Sequence, residues 1–188
     1  MKVKYGLKNC YYALATIASD GTATYGTPKR LPGAVSLTMD PAGEQTNFYA
    51  DDSVYFSVAG ANGYTGTLEI AMIPDSFREE CLGEVKEDGV YIETGVGSSQ
   101  PFALLFEFQS DANAIKHVLY NVTASRPSIT GNTKGETVEV STDTLNLTAA
   151  TIHNAALNRD IVKARVADDE SAAYSTWYTS VYQPQTTA

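Results

Sequence analysis

Phe102-Ala103-Leu104-Leu105-Phe106-Glu107-Phe108-Gln109-Ser110-Asp111, continuing into His117-Val118-Leu119-Tyr120-Asn121, is the run whose reading decides the fold class. Phe102, Leu104, Phe106 and Phe108 recur at every second residue, which places them on one face of an extended strand. A polar break from Asp111 to Asn113 follows, and an apolar return begins at Ile115. Two apolar runs around a short polar break predict a β-hairpin.

The same period recurs along the chain. Val35, Leu37 and Met39 alternate with Ser36, Thr38 and Asp40; Leu68, Ile70 and Met72 with Thr67, Glu69 and Ala71; Val138 and Val140 with Thr137, Glu139 and Ser141. Each pattern predicts a strand with one buried face. Asp20-Gly21, Asn62-Gly63 and Asp88-Gly89 supply residues that accept the positive backbone angles of tight hairpin turns. Many short strands at this spacing predict a mainly β chain folded as a sandwich or barrel, not a parallel sheet with crossover helices.

Two short flanking helices are predicted. The first runs from Pro74 or Asp75 to Leu82, with proline and an acid suited to its start, Phe77 and Cys81 on one face, and Gly83 as its stop. The second is suggested by Tyr174, Trp177, Tyr178, Val181 and Tyr182, which follow helical spacing after Asp168-Asp169-Glu170, although the same residues also alternate as a strand. Gln183-Pro184 ends either element, and residues 183–188 are expected to form a loose tail. Between Asp40 and Gly63, turn residues mix with Phe48, Tyr49, Tyr55 and Phe56, a pattern that fits a long projecting hairpin. Aromatics on such an excursion suit a subunit interface, where they supply large contact area at low entropy cost.

The 188 residues suit a single domain, 1–188, large enough to bury a core without staples. Cys10 and Cys81 show no metal-ligand or disulfide spacing and read as two buried thiols. The first residues lack the apolar run of a secretion signal, and no stretch reaches the length of a membrane span. The sequons at Asn121 and Asn146 carry no weight outside a secreted eukaryotic protein. A net charge of -9 argues against tight nucleic-acid binding, which depends on lysine and arginine contacts to phosphate.

Candidate chemistry is sparse. Gly95-Val96-Gly97-Ser98-Ser99 lacks the lysine of a phosphate loop and precedes a strand, so a loop is the better reading. His117 and His153 have no histidine or cysteine at ligand spacing and no nucleophile elbow beside them. His117, in the return strand with Ile115 and Leu119, reads as a packed or interface residue. Asp51-Asp52 and Asp168-Asp169-Glu170 lack the spacing of a calcium loop and read as solvated or helix-start carboxylates. Separated acids could meet in space as a glycosidase pair, but no residue pattern favours it. No catalytic, cofactor-binding or metal-binding residue is assigned.

The order of several short motifs points to a family. Asp20-Gly21-Thr22-Ala23-Thr24-Tyr25-Gly26-Thr27-Pro28, Lys29-Arg30-Leu31-Pro32-Gly33-Ala34-Val35, Ala50-Asp51-Asp52-Ser53-Val54-Tyr55, Pro74-Asp75-Ser76-Phe77, the Phe102 hairpin, Arg126-Pro127 and Trp177-Tyr178-Thr179-Ser180-Val181-Tyr182 follow one another in sequence. From Tyr5 to Tyr182 the chain resembles the major tail protein family of long-tailed, non-contractile bacteriophages.

That resemblance implies a β-sandwich flanked by a helix, six-subunit rings whose inner sheets join into a continuous barrel, and stacked rings forming a tail tube. It implies a virion protein made in the host cytoplasm, with a tape-measure protein and tail-tip and terminator proteins as partners. DNA would pass through the lumen without specific binding, and acidity would suit such a conduit, although ordinary solubility charge explains it equally. Stacking between rings is expected at Phe48, Tyr49, Asp51, Asp52 and Tyr55, and lumen exposure at Ser36, Thr38, Glu107 and Gln109. Neither set is carried over from a family motif. The alternatives are a tail terminator or connector protein, a non-enzymatic β-sandwich surface-binding module, and, third, an enzyme on a β-scaffold, which would need convergent polar residues in a deep pocket.

Overall fold

The computed structural model describes residues 3–43, 45–50, 53–59, 63–95, 99–110, 113–129, 131, 133 and 141–185, with residues 4, 45–50 and 54–59 described by their backbone alone. The first half contains β1 (Lys4–Ile17), β2 (Ala23–Tyr25), β3 (Lys29–Arg30), β4 (Ala34–Pro41), β5 (Gln45–Ala50), β6 (Ser53–Ala59) and β7 (Tyr64–Ile70). The one-turn helix α1 (Asp75–Phe77) then runs into a π-helical turn, Arg78–Leu82. Beyond it lie β8 (Val85–Glu87), β9 (Val90–Ile92), β10 (Phe102–Ser110), β11 (Ile115–Ala124) and β12 (Asp143–Ala150). The chain closes with β13 (Ile152–Asn154), β14 (Arg159–Ile161), β15 (Lys163–Val166) and α2 (Ala172–Thr176).

The Phe102 hairpin is present as expected: β10 and β11 pair antiparallel, with Phe102 opposite Val122 and Phe108 opposite Ile115. The other edge of β11 is divided. Lys116 to Leu119 pair with β15, whereas Asn121 to Ala124 pair with β12. One strand therefore serves two layers of a mainly β sandwich. The first layer is β1, β10, the start of β11 and β15, with β2 and β3 along β1; the second is the end of β11, β12, β7 and β4.

The core lies between these layers. Tyr12, Phe102, Leu104 and Leu119 from the first meet Leu68, Ile70, Leu145 and Leu147 from the second. Full burial of each such side chain contributes roughly 1.5–3 kcal/mol before entropy is counted. The helical segment caps one end. Its Phe77 ring stands edge-on to Tyr12 at 5.0 Å and to Phe102 at 5.2 Å. Phe77 and Cys81 are both buried, and Gly83 stops the segment in the left-handed conformation at φ 76°. Cys10 and Cys81 are buried free thiols, and burial, with Glu107 nearby, pushes the Cys10 thiol up to about 12.

A smaller cluster covers the outer face of the first layer. Ala13, Ala103, Leu105, Val118 and Tyr120 pack beneath Trp177, Tyr178 and Val181 from the C-terminal segment and Ile152 and Ile161 from the β13–β14 hairpin. The predicted second helix is real but short, and Trp177, Tyr178 and Val181 reach the sheet from just beyond it.

Three local expectations need correction. Val35 is 53% exposed, because a register shift between Ala34 and Ser36 turns Ala34 inward in its place. Met72 lies past the end of β7 and is exposed, while Ile73 takes the buried position. Glu107, expected on an open polar face, is 8% exposed. Asp88-Gly89 joins β8 to β9 with φ 49° and 81°, the angles of the tight turn its sequence predicts. Gly21 is also left-handed, between β1 and β2. Val138 and Val140 lie outside the described residues, as does most of the Gly95–Ser99 loop.

Candidate functional site

Among the described residues, the second layer is covered on one side only. Its inward residues, Leu37 and Met39 of β4, Leu68 and Ile70 of β7, and Leu145, Leu147 and Ala149 of β12, belong to the core. Its outward residues are Ser36, Thr38 and Asp40, then Thr65, Thr67 and Glu69, then Thr144, Asn146 and Thr148. Cross-strand pairing sets them in rows: Ser36, Glu69 and Thr144; Thr38, Thr67 and Asn146; Asp40, Thr65 and Thr148. β4, β7 and β12 contain no lysine or arginine. The result is a hydroxyl-rich sheet face with two carboxylates and no cation.

Glu69 is held by its neighbours. Ser36 Oγ donates to Oε2 at 2.9 Å and Thr142 Oγ1 to Oε1 at 2.7 Å. These bonds, Thr142's first, lower the Glu69 pKa below the usual glutamate value. The face stays negative at neutral pH.

Within the second layer, β4 and β7 sit close where they pair. A Cβ on Gly66 would lie 1.9 Å from the Thr38 carbonyl oxygen, so only glycine lets β4 approach there. Among the described strands β4 is also terminal in its sheet, bonded to β7 on one side. An edge strand of eight residues offers its remaining N–H and C=O groups to another chain.

Glu107 and Gln109 lie on the other layer, toward the C-terminal segment. Asn9 Nδ2 donates to Glu107 Oε1 at 2.7 Å, and the Tyr178 hydroxyl donates to Oε2 at 2.8 Å. Asn9 reaches it from a left-handed backbone, φ 49°, which asparagine tolerates. Lys116, opposite Glu107 in the ladder, lies 3.7 Å from the Tyr174 ring centroid and donates Nζ to the Tyr174 carbonyl. Trp177 Nε1 donates to the His117 carbonyl at 3.2 Å, and Gln183 Nε2 to the Ala23 carbonyl at 3.0 Å. Together these bonds clamp the C-terminal segment down. Gln109 is half-buried, its amide against Gly6.

The expected hairpin between Asp40 and Gly63 is β5–β6, a two-stranded sheet of its own, with Gln45 opposite Ala59 and Ala50 opposite Ser53. Phe48, Tyr49 and Tyr55 stand on its strands; their side chains lie outside the described set, and Asp51 and Asp52 lie outside it altogether.

Of the four lumen candidates, the structure brings Ser36 and Thr38 together on the uncovered face and separates Glu107 and Gln109 from them. Thr65, Thr67, Thr144, Asn146 and Thr148 complete that face and were not singled out from sequence. Their signal was available: threonine or asparagine at alternate positions in strands without lysine or arginine.

The histidines behave structurally. His117 stacks on Phe106 with centroids 5.2 Å apart, and His153 Nδ1 is 3.1 Å from Asp160 Oδ1 on the surface. Among the described residues no group of three or more histidine, cysteine, aspartate or glutamate side chains is placed to hold a metal ion. No helix among them is long and apolar enough to cross a membrane.

A family model described as phage tail tube protein matches residues 1–188, the whole chain. No curated protein matches it.

Proposed function

The chain belongs to the phage tail tube protein family, a structural component of the virion tail, and from that premise we propose that its subunits close into six-membered rings that stack into the DNA conduit. The uncovered face of β4, β7 and β12 carries this reading. In a ring it lines the lumen, presenting hydroxyls and carboxylates to passing phosphates. Cations there would bind the polymer by counterion release and slow it, and these strands carry none.

The open β4 edge supports the ring. Pairing with a neighbouring subunit satisfies its exposed backbone groups and continues the inner sheet around the lumen. The β5–β6 hairpin makes the stacking contact, with Phe48, Tyr49, Asp51, Asp52 and Tyr55 as its contact residues. A tape-measure protein, a tail tip and a terminator complete the tail.

Negative-stain electron microscopy of the concentrated protein tests the proposal. Hollow tubes of uniform width are expected. Rings that never stack would favour a terminator role, and dispersed monomers that persist after addition of tail-tip complexes as nuclei would overturn self-assembly.

A further inference from the structure

The β8–β9 hairpin exposes apolar side chains on one face. Val85 is 52% exposed, Val90 60% and Ile92 42%. Val85 lies opposite Ile92 and Glu87 opposite Val90, so all three apolar groups share a face. Its tip, Glu87-Asp88, is acidic and exposed.

A complementary surface lies elsewhere on the same subunit. Between Leu37 and Met39 of β4 and Phe106 and Phe108 of β10, the sandwich opens into a cavity of about 350 Å³, with Lys163 in its wall. Lys163 and Arg165 are exposed cations on β15, notable in a chain of net charge -9. Apolar hairpin and apolar cleft, acidic tip and basic strand, match in both respects.

The two surfaces lie at opposite ends of the sandwich. The cleft includes Tyr64, where β7 begins, whereas the helical segment and hairpin follow Ile70, where it ends. A hydrogen bond from Gln100 N to the Cys81 carbonyl ties the π-helical turn to the Phe102 end of β10, away from Phe108. Such a pair of surfaces cannot meet within one subunit. Contact between copies is heterologous, and heterologous contacts build rings or filaments.

We propose that the β8–β9 hairpin of one subunit docks in the β4–β10 cleft of the next, Val90 and Ile92 against Leu37 and Met39, with Glu87 and Asp88 beside Lys163 and Arg165. This rests on the self-assembly reading and names a contact for it.

Two experiments test the contact. In the first, a chain carrying Met39→Cys and Val90→Cys is oxidised after assembly; Cys10 and Cys81 are buried and serve as internal controls. A ladder of disulfide-linked subunits is expected, absent from either single variant. In the second, Lys163→Glu and Glu87→Lys, both at exposed positions, are each expected to raise the concentration needed for assembly about five-fold, and their combination to restore it. Tubes without the disulfide ladder, or charge changes whose effects merely add, would overturn the contact and leave the tube reading standing. A chain that never assembles would remove both.

Discussion

The Tyr178 hydroxyl donates to Glu107 Oε2 at 2.8 Å, joining the C-terminal segment to the middle of the central hairpin across 71 positions of sequence. With Asn9 on the other oxygen, it leaves a buried carboxylate fully paired, which is the condition under which such a group is tolerated. The bond helps hold the C-terminal segment over the outer face of the first layer.

Removing one partner exposes the cost of that burial. Tyr178→Phe is expected to destabilise the subunit by about 1–3 kcal/mol, since a carboxylate oxygen loses its donor without regaining water. Urea unfolding measures the loss, and limited proteolysis should show earlier cleavage after Val166. A midpoint equal to wild type would mean that the carboxylate finds water.

Gly66→Ala tests the approach of β4 to β7. With the new methyl carbon 1.9 Å from the Thr38 carbonyl, the strands must part, and a loss of about 3 kcal/mol or more is expected. Soluble yield and thermal unfolding report it. An alanine variant of normal stability would show that the β4 edge can shift freely.

Stability should fall on the alkaline side. Burial, followed by the Glu107 contact, raises the Tyr178 pKa, and burial is the main cause of the rise in Tyr12, to about 12, and in Tyr25 and Tyr120. For a group whose folded pKa lies above its unfolded value, stability is fully present below the unfolded pKa, here the ordinary tyrosine value of 10.0, and declines above it. Tyrosinate absorbance should therefore rise in two stages, exposed rings first and the buried set together with unfolding. A single early transition would contradict the burial.

Glu69 acts in the other direction. Its lowered pKa adds stability above the unfolded glutamate value, lost as pH falls through the folded one. Glu69→Gln should leave the neutral fold intact and flatten the acid limb of the stability profile. An unchanged acid limb would show that the two hydroxyl bonds have no net effect.

The open face can be recharged without touching the core. Thr38→Lys with Asn146→Lys should assemble normally, both positions being exposed, while virions carrying them eject DNA more slowly, with the delay shortened by added salt. Equal ejection rates would remove this face as the proposed lumen. For the proposed stacking contact of the β5–β6 hairpin, Tyr49→Ala and Tyr55→Ala are expected to give folded subunits, by circular dichroism, that form few tubes; normal tubes from both would remove that assignment.

Sequence alone determined the β class, the Phe102 hairpin, the Asp88-Gly89 turn and the helical segment stopped at Gly83. These rest on local rules: period-two alternation, the few residues that accept positive φ, and glycine at a helix end. Alternation separates the two faces of a strand, but it does not say which face receives a second layer. Glu107 looked as exposed as Thr38 for that reason, and the bulge at Ala34 and Ser36 reversed Val35. Only the tertiary structure decided both outcomes. It placed Trp177 and Tyr178 over the outer face of β10 and nothing from the described residues over the outer face of β4, β7 and β12, because burial is a property of chain segments meeting across long sequence separations.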